Sequence, residues 1–214
     1  MLSRLPLRAV LFDWDGTLLD SYHADAQAYL RMFRALGVPW GLDDLARHYS
    51  PDWYQVYRAA ALPPERWREA DRLWRAFYRD ERPALQNGAA RVLHALARRY
   101  RLGLVTSGSG LRVRRQLRAF ALDKLFATRV FGDDLPRRKP HPAILRLGLR
   151  RMGVEPAECV YVGDTPEDVE MARRAGLAVV GVVGSSPVSG RLRGSRPDAL
   201  IARITALPEL LSRH

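Results

Sequence analysis

Two aspartates stand two residues apart in the run Phe12-Asp13-Trp14-Asp15-Gly16-Thr17. On an extended backbone that spacing sends both carboxylates to the same side. Like charges held together repel, and the arrangement is tolerable when a divalent cation neutralises them or when one of them carries a proton. Magnesium suits such a place, because it takes oxygen from a few carboxylates and fills its remaining positions with water and substrate oxygens. Asp164 and Asp168, in Gly163-Asp164-Thr165-Pro166-Glu167-Asp168, could supply the remaining negative charge. Taken alone, Asp-Gly-Thr also fits an ordinary turn.

Two further segments could manage an anion. Thr106 and the loop Ser107-Gly108-Ser109-Gly110 precede a helical pattern, so backbone N–H groups and a helix N-terminus could face a negatively charged group. A simple helix-capping loop fits the same residues. So does a dinucleotide site with Asp133 as its acidic partner, but the third glycine position of that pattern holds Val113. Lys139 stands out because the other lysine, Lys124, is its only companion among 35 basic residues. A flexible ammonium can reach a phosphate oxygen and a carboxylate as a point charge. Pro140 and Pro142 stiffen the backbone around it.

The elements that would position these residues alternate. Strands are expected at Leu7–Phe12, Leu102–Thr106, Leu125–Phe131, Cys159–Gly163 and Ala178–Val183. Helices are expected at Asn87–Tyr100, Leu111–Phe120, Pro142–Met152 and Pro166–Ala175. Such alternation implies an α/β fold, a Rossmann-like parallel sheet with helices on both faces. Asp13, Thr106 and Asp164 then fall at the carboxyl ends of strands, where open parallel sheets bind ligands.

Residues 18–83 read differently. Helical patterns at Ser21–Leu36, Asp43–His48, Asp52–Ala61 and Pro64–Arg79 are separated by Ser50-Pro51 and Pro63-Pro64. Trp40, Trp53, Trp67 and Trp74 lie here and are expected to form a local core. The chain thus divides into an α/β core of 1–17 and 84–214 and an inserted all-helical cap subdomain of 18–83. Residues 185–197 read as a surface loop, and Asp198–His214 as a closing strand or helix.

Composition bounds the rest. A chain of 214 residues suits one α/β domain with a small insert. No apolar run approaches the roughly 18 residues of a membrane span, and Met1 to Val10 is too short and strand-like for a secretory signal. A cytoplasmic protein is expected. The single cysteine, Cys159, excludes an intramolecular disulfide and reads as a core residue. The net charge of +12 comes from arginines scattered along the whole chain rather than from one block. Nucleic acid is therefore not the expected partner, although the positive field would draw in an anion.

Together these segments resemble the haloacid dehalogenase-like hydrolase superfamily, in its branch with a helical cap after the first motif. The resemblance spans the chain through Asp13-Trp14-Asp15-Gly16-Thr17, Thr106, Lys139-Pro140-His141-Pro142 and Gly163-Asp164-Thr165-Pro166-Glu167-Asp168. It implies a phosphoric monoester hydrolase. Asp13 would be the nucleophile that forms an aspartyl-phosphate, and Asp15 the acid and base. Thr106, Ser107, Gly108 and Lys139 would bind phosphate. Mg2+ would sit among Asp13, Asp15, Asp164 and Asp168, through the backbone carbonyl in the case of Asp15, and directly or through water in the case of Asp168.

Within that resemblance Asp15 argues for phosphoryl chemistry over dehalogenation. The lack of any lysine before Lys124 argues against a cap Schiff base. Leu18-Leu19-Asp20-Ser21 looks most like phosphoglycolate phosphatases and related enzymes of small phosphorylated metabolites. A β-phosphoglucomutase-like transfer, a nucleic-acid-associated phosphatase and a receiver domain are the alternatives. Monomer and homodimer both stay open. Tyr22, His23, Asp25 and Tyr29 follow the first motif and are candidates to face substrate.

Overall fold

The computed structural model describes residues 6–184 and 186–212. The first five residues of the Met1 to Val10 segment, position 185 of the expected loop and the last two residues of the tail lie outside them. Six parallel strands form one sheet in the order β3-β2-β1-β4-β5-β6. They are β1 (Ala9–Phe12), β2 (Arg101–Val105), β3 (Phe126–Val130), β4 (Cys159–Gly163), β5 (Ala178–Val182) and β6 (Ala199–Ile201). The order reverses between β1 and its neighbours, which opens a crevice at the carboxyl ends of β1 and β4.

β1 lies inside the sheet and is buried on both faces, which its unbroken apolar run reflects. Val10, Phe12 and Trp14 enter one core together with Leu93, Val113 and Leu207. Ala9 and Leu11 enter the other with Leu145, Val169 and Ala172. α5 (Ala89–Leu96), α6 (Gly110–Ala119) and α10 (Leu207–Ser212) supply the first core, and α7 (Ala143–Met152) and α8 (Pro166–Ala175) the second. The period of two thus sends Trp14 inward while Asp13 and Asp15 take the opposite side. Cys159 is fully buried, and burial pushes its thiol up to about 12.

Between β1 and β2 lie α1 (Tyr22–Ala35), α2 (Leu42–His48), α3 (Trp53–Ala59) and α4 (Trp67–Tyr78). They have a core of their own, built on Met32, Phe33, Leu45, Val56 and Tyr57. Each fully buried aliphatic or aromatic side chain there contributes about 1.5–3 kcal/mol relative to exposure. The insert joins the sheet through a short antiparallel pairing: the Asp20 N–H donates to the Ala84 carbonyl at 2.9 Å, and the Gln86 N–H to the Leu18 carbonyl at 2.8 Å.

Element boundaries differ from expectation where local backbone intervenes. The helix expected over Asn87–Tyr100 starts only at Ala89, because Gly88 takes a left-handed conformation with φ of 77°. The one expected over Pro64–Arg79 opens as a 3-10 turn, Pro64–Arg66, before α4. The 185–197 segment is more than a surface loop: α9 (Ser189–Leu192) forms there, and Val188 and Leu192 are buried. Their apolar side chains are what folds it down. The tail supplies both β6 and α10. Among the described residues no helix is long and apolar enough to cross a membrane.

Candidate active site

Lys139 lies at the centre of the site. Its ammonium is 2.8 Å from Asp13 Oδ1 and 2.8 Å from Asp168 Oδ1, with all three side chains almost completely buried. Burial opposes the charge of Lys139, but Asp13 and Asp168 beside it outweigh that and hold the amine protonated well above its ordinary range. Burial pushes Asp13 up to about 7, against the pull of Lys139. Asp164, at the end of β4, is likewise driven well above the usual carboxylate range by burial and by the neighbouring charges of Asp168 and Asp13. The Thr17 hydroxyl donates to Asp164 Oδ1 at 2.8 Å and fixes its rotamer.

α8 explains where Asp168 points. Thr165 caps this helix, Pro166 fills its first turn, and Asp168 closes a capping box. Asp168 Oδ2 accepts from the N–H of Asp164 at 3.2 Å and of Thr165 at 3.1 Å, and from the Thr165 hydroxyl at 2.8 Å. Its Oδ1 accepts from the Tyr161 hydroxyl at 3.0 Å as well as facing Lys139. Both oxygens of this carboxylate thus meet donors, from Lys139 and Tyr161 on one side and from the β4–α8 turn on the other.

Asp15 is placed differently. Arg112, on α6, grips it bidentately at 2.9 and 2.6 Å. Burial alone would raise the Asp15 carboxyl, but the charge and hydrogen bonds of Arg112 overcome it and hold the group below the usual range. Gln116, one turn along α6, accepts from Arg112 at 3.3 Å and from the Trp14 indole at 2.9 Å. The residue between the two aspartates therefore anchors the motif to α6. Gly16 has φ of 82°, and a side chain there would collide with the Asp164 carboxylate.

The expected anion loop is present but narrower. Thr106 is 1 % exposed, and its hydroxyl accepts from the Gly108 N–H at 3.0 Å. The Gly110 N–H is taken by Asp133 Oδ2 at 2.7 Å. Asp133 is thus the cap of α6 rather than a ribose ligand. The amide of Gly108, a residue expected to bind phosphate, is spent inside the loop, while Thr106 and Ser107 line the cavity. Gly108 matters instead for space, because a side chain there would strike Arg112.

Asp13, Asp164 and Asp168 can each offer an oxygen within 4.8 Å of the others. Three carboxylates face one ammonium, which leaves an excess of negative charge made of hard oxygen donors. That set fits a magnesium ion. Asp15 is expected to join them through its backbone carbonyl, and its side chain is turned to Arg112, outside this cluster.

A cavity of about 140 Å³ opens over these groups and runs beneath the helical insert. Tyr22, Asp25 and Tyr29 line it, as expected; His23 does not, and is exposed at the surface against Tyr22. Trp40 and Trp67 belong to the local core, but Trp53 and Trp74 also wall the cavity. Sequence reasoning missed Arg112, Gln116, Thr17 and Ser186, which reaches the cavity from the 186–189 turn.

Residues 10–182 match the family described as haloacid dehalogenase-like hydrolase, and the chain belongs to that family. It is 28% identical to the pyrophosphatase PpaX of Bacillus velezensis over 204 residues, covering 93% of this chain and 94% of that one. It is 31% identical to the phosphoglycolate phosphatase of Escherichia coli, covering 94% and 91% respectively. A crystal structure described as a predicted phosphoglycolate phosphatase from Haemophilus somnus superposes with a TM-score of 0.83 at 25% identity, covering 97% of this chain and 99% of that one.

Proposed function

We propose that this hydrolase is a magnesium-dependent phosphatase that cleaves a small phosphate monoester through an aspartyl-phosphate on Asp13. The observation that carries the reading is the buried ammonium of Lys139, bridging Asp13 and Asp168 beside Asp164 at the mouth of the cavity. The phosphatase names of relatives aligned over nearly the whole chain support it.

Asp13 attacks phosphorus, and the bond from phosphorus to the ester oxygen breaks. Asp15, when protonated, gives its proton to the departing oxygen. As a carboxylate it then takes a proton from the water that attacks the aspartyl-phosphate, which frees phosphate and restores Asp13. Lys139 orients Asp13 and balances charge developing on the phosphoryl oxygens. The Thr106 hydroxyl and Ser107 amide hold those oxygens. Asp13, Asp164 and the Asp15 carbonyl would hold Mg2+, which supplies charge neutralisation between Asp13 and the dianionic ester. Asp168 serves by fixing Lys139. The division of labour is chemistry in residues 1–17 and 84–214 and selection of the substrate in 18–83.

The test is release of phosphate from p-nitrophenyl phosphate. The wild type is expected to be active with magnesium and inactive with chelator. Asp13→Asn is expected to lose activity by a factor on the order of 10⁴. Undiminished turnover by that variant would refute the reading.

A further inference from the structure

The cavity has two chemically unlike ends. At the sheet it presents Lys139, Thr106 and Ser107, groups suited to phosphate. Beneath the helical insert it presents aromatic rings around a carboxylate. Asp25, on α1, accepts from the Tyr49 hydroxyl at 2.5 Å and from the Trp74 indole at 3.0 Å. Both donors are neutral. Among the described residues no ion pair reaches Asp25. The rings continue from these two donors: Tyr22 meets Tyr49 edge-on at 5.3 Å, Tyr29 lies 6.2 Å from Trp74, and Tyr78 stacks on Trp74 at 4.7 Å.

We propose that this aromatic end, closed by the Asp25 carboxylate, binds the positively charged group of the substrate, so that the enzyme acts on the phosphate monoester of an amino or quaternary-ammonium alcohol. The proposal rests on the phosphatase reading above and names the substrate class for the same site.

The charges nearby favour a cation over a second anion. Arg112, the arginine closest to the reacting end, has its fork committed to both oxygens of Asp15. Arg75 stands beside a second acid of the wall, Asp71, and offsets it. Arg138 is stacked on Trp53 at 3.6 Å. Asp25 thus faces the cavity with no ion pair of its own: Arg112, the opposite charge that acts on it, is shared with Asp15 and leaves it raised, and an anionic substituent of the substrate would meet it as a like charge. Desolvation by the surrounding side chains pushes Asp25 up to about 7, a strain that an ammonium beside it would relieve. Tyrosine and tryptophan faces add attraction for a cation through their quadrupoles. A neutral apolar group would gain burial but leave Asp25 uncompensated.

Two measurements test this. Choline and its uncharged isostere 3,3-dimethyl-1-butanol are titrated into the full-length protein by calorimetry, with no turnover involved. Choline is expected to bind at least about tenfold more tightly. In Asp25→Asn that ratio is expected to fall towards one. Equal binding of the two ligands to the wild type, or no binding of either, would overturn the proposal without reference to any variant. In the second measurement, phosphocholine and phosphoethanolamine are compared with phosphoglycolate by kcat/KM. An advantage of tenfold or more for the ammonium esters supports the proposal. Faster hydrolysis of phosphoglycolate overturns it while leaving the phosphatase reading intact. If no ester is hydrolysed, p-nitrophenyl phosphate included, the phosphatase reading fails, and choline binding alone decides what the pocket recognises.

Discussion

Asp13, Asp25 and Asp164 all hold their protons more firmly in the folded protein than an exposed carboxyl does. A raised acid contributes stability that is fully present below the unfolded value, about 4, and lost as pH rises through the folded value. For Asp13 and Asp25 that window closes near pH 7. The urea midpoint of the metal-free protein is therefore expected to fall between pH 5 and pH 8. Asp25→Asn should flatten the slope, because one of the titrating groups is gone. Magnesium at pH 8 should raise the midpoint again, since an ion that binds only the folded cluster stabilises it by mass action. Urea titrations with chelator and with magnesium at both pH values check all three expectations.

Two helices carry the precision of the site. α6 delivers Arg112 to Asp15 and Gln116 to Trp14. Replacing Arg112 with Met removes the charge that offsets burial of Asp15, and the carboxyl should then ionise at higher pH. The acid limb of the kcat profile is expected to move up by about one to three pH units. A profile that falls in height without shifting would assign Arg112 to substrate contact alone. The first turn of α8 carries Asp168, which closes its capping box and holds Lys139. Asp168→Ala leaves the buried Lys139 ammonium with Asp13 as its one acidic partner and strands two backbone amides, and a loss of about 3–5 kcal/mol in urea unfolding is expected. The sequence reveals these helices unequally. Lys139 can be picked out because it is one of two lysines, and the acids because they fall at strand ends. Arg112 looks like any of the other arginines, and its partner Asp15 is 97 positions away. Only the packing of α6 against β1 brings the two together. Asp133 was legible as an acid at a suggestive distance from Gly108, but whether it binds a ribose or caps a helix depends on how the turn after β3 meets the Gly108 loop.

At the scale of the molecule, the alternation of apolar runs and helical patterns was enough to define a parallel sheet with an inserted helical unit. The strand order was not legible, because any of these buried strands could neighbour another. The wall of the cavity was not legible either: the spacing of Trp53 and Trp74 is equally good for a core, and the structure uses them for both purposes. The excess of 12 positive charges comes from arginines scattered along the whole chain. It should accelerate the approach of a dianionic ester and be screened beyond a Debye length of about 8 Å at physiological salt. For p-nitrophenyl phosphate, kcat/KM is expected to fall severalfold between low and moderate ionic strength while kcat changes little. Stopped-time assays across a sodium chloride series would show it. Equal loss of kcat would indicate damage to the site instead.

The paired linkers at Leu18–Asp20 and Ala84–Gln86 have a mechanical meaning. A unit tethered by one strand can swing and spin about many axes. One that leaves and returns through two hydrogen-bonded strands keeps a single easy rotation, about a line crossing both. The linker that leaves departs from the strand that carries Asp13 and Asp15, so the pivot lies beside the nucleophile and the far rim travels furthest. Away from these linkers the Arg138–Trp53 contact and the bond from Arg191 to the Tyr49 carbonyl join the insert to the rest of the chain. A small turn would separate those contacts first and admit solute from that side. The carboxylates near the axis would barely move.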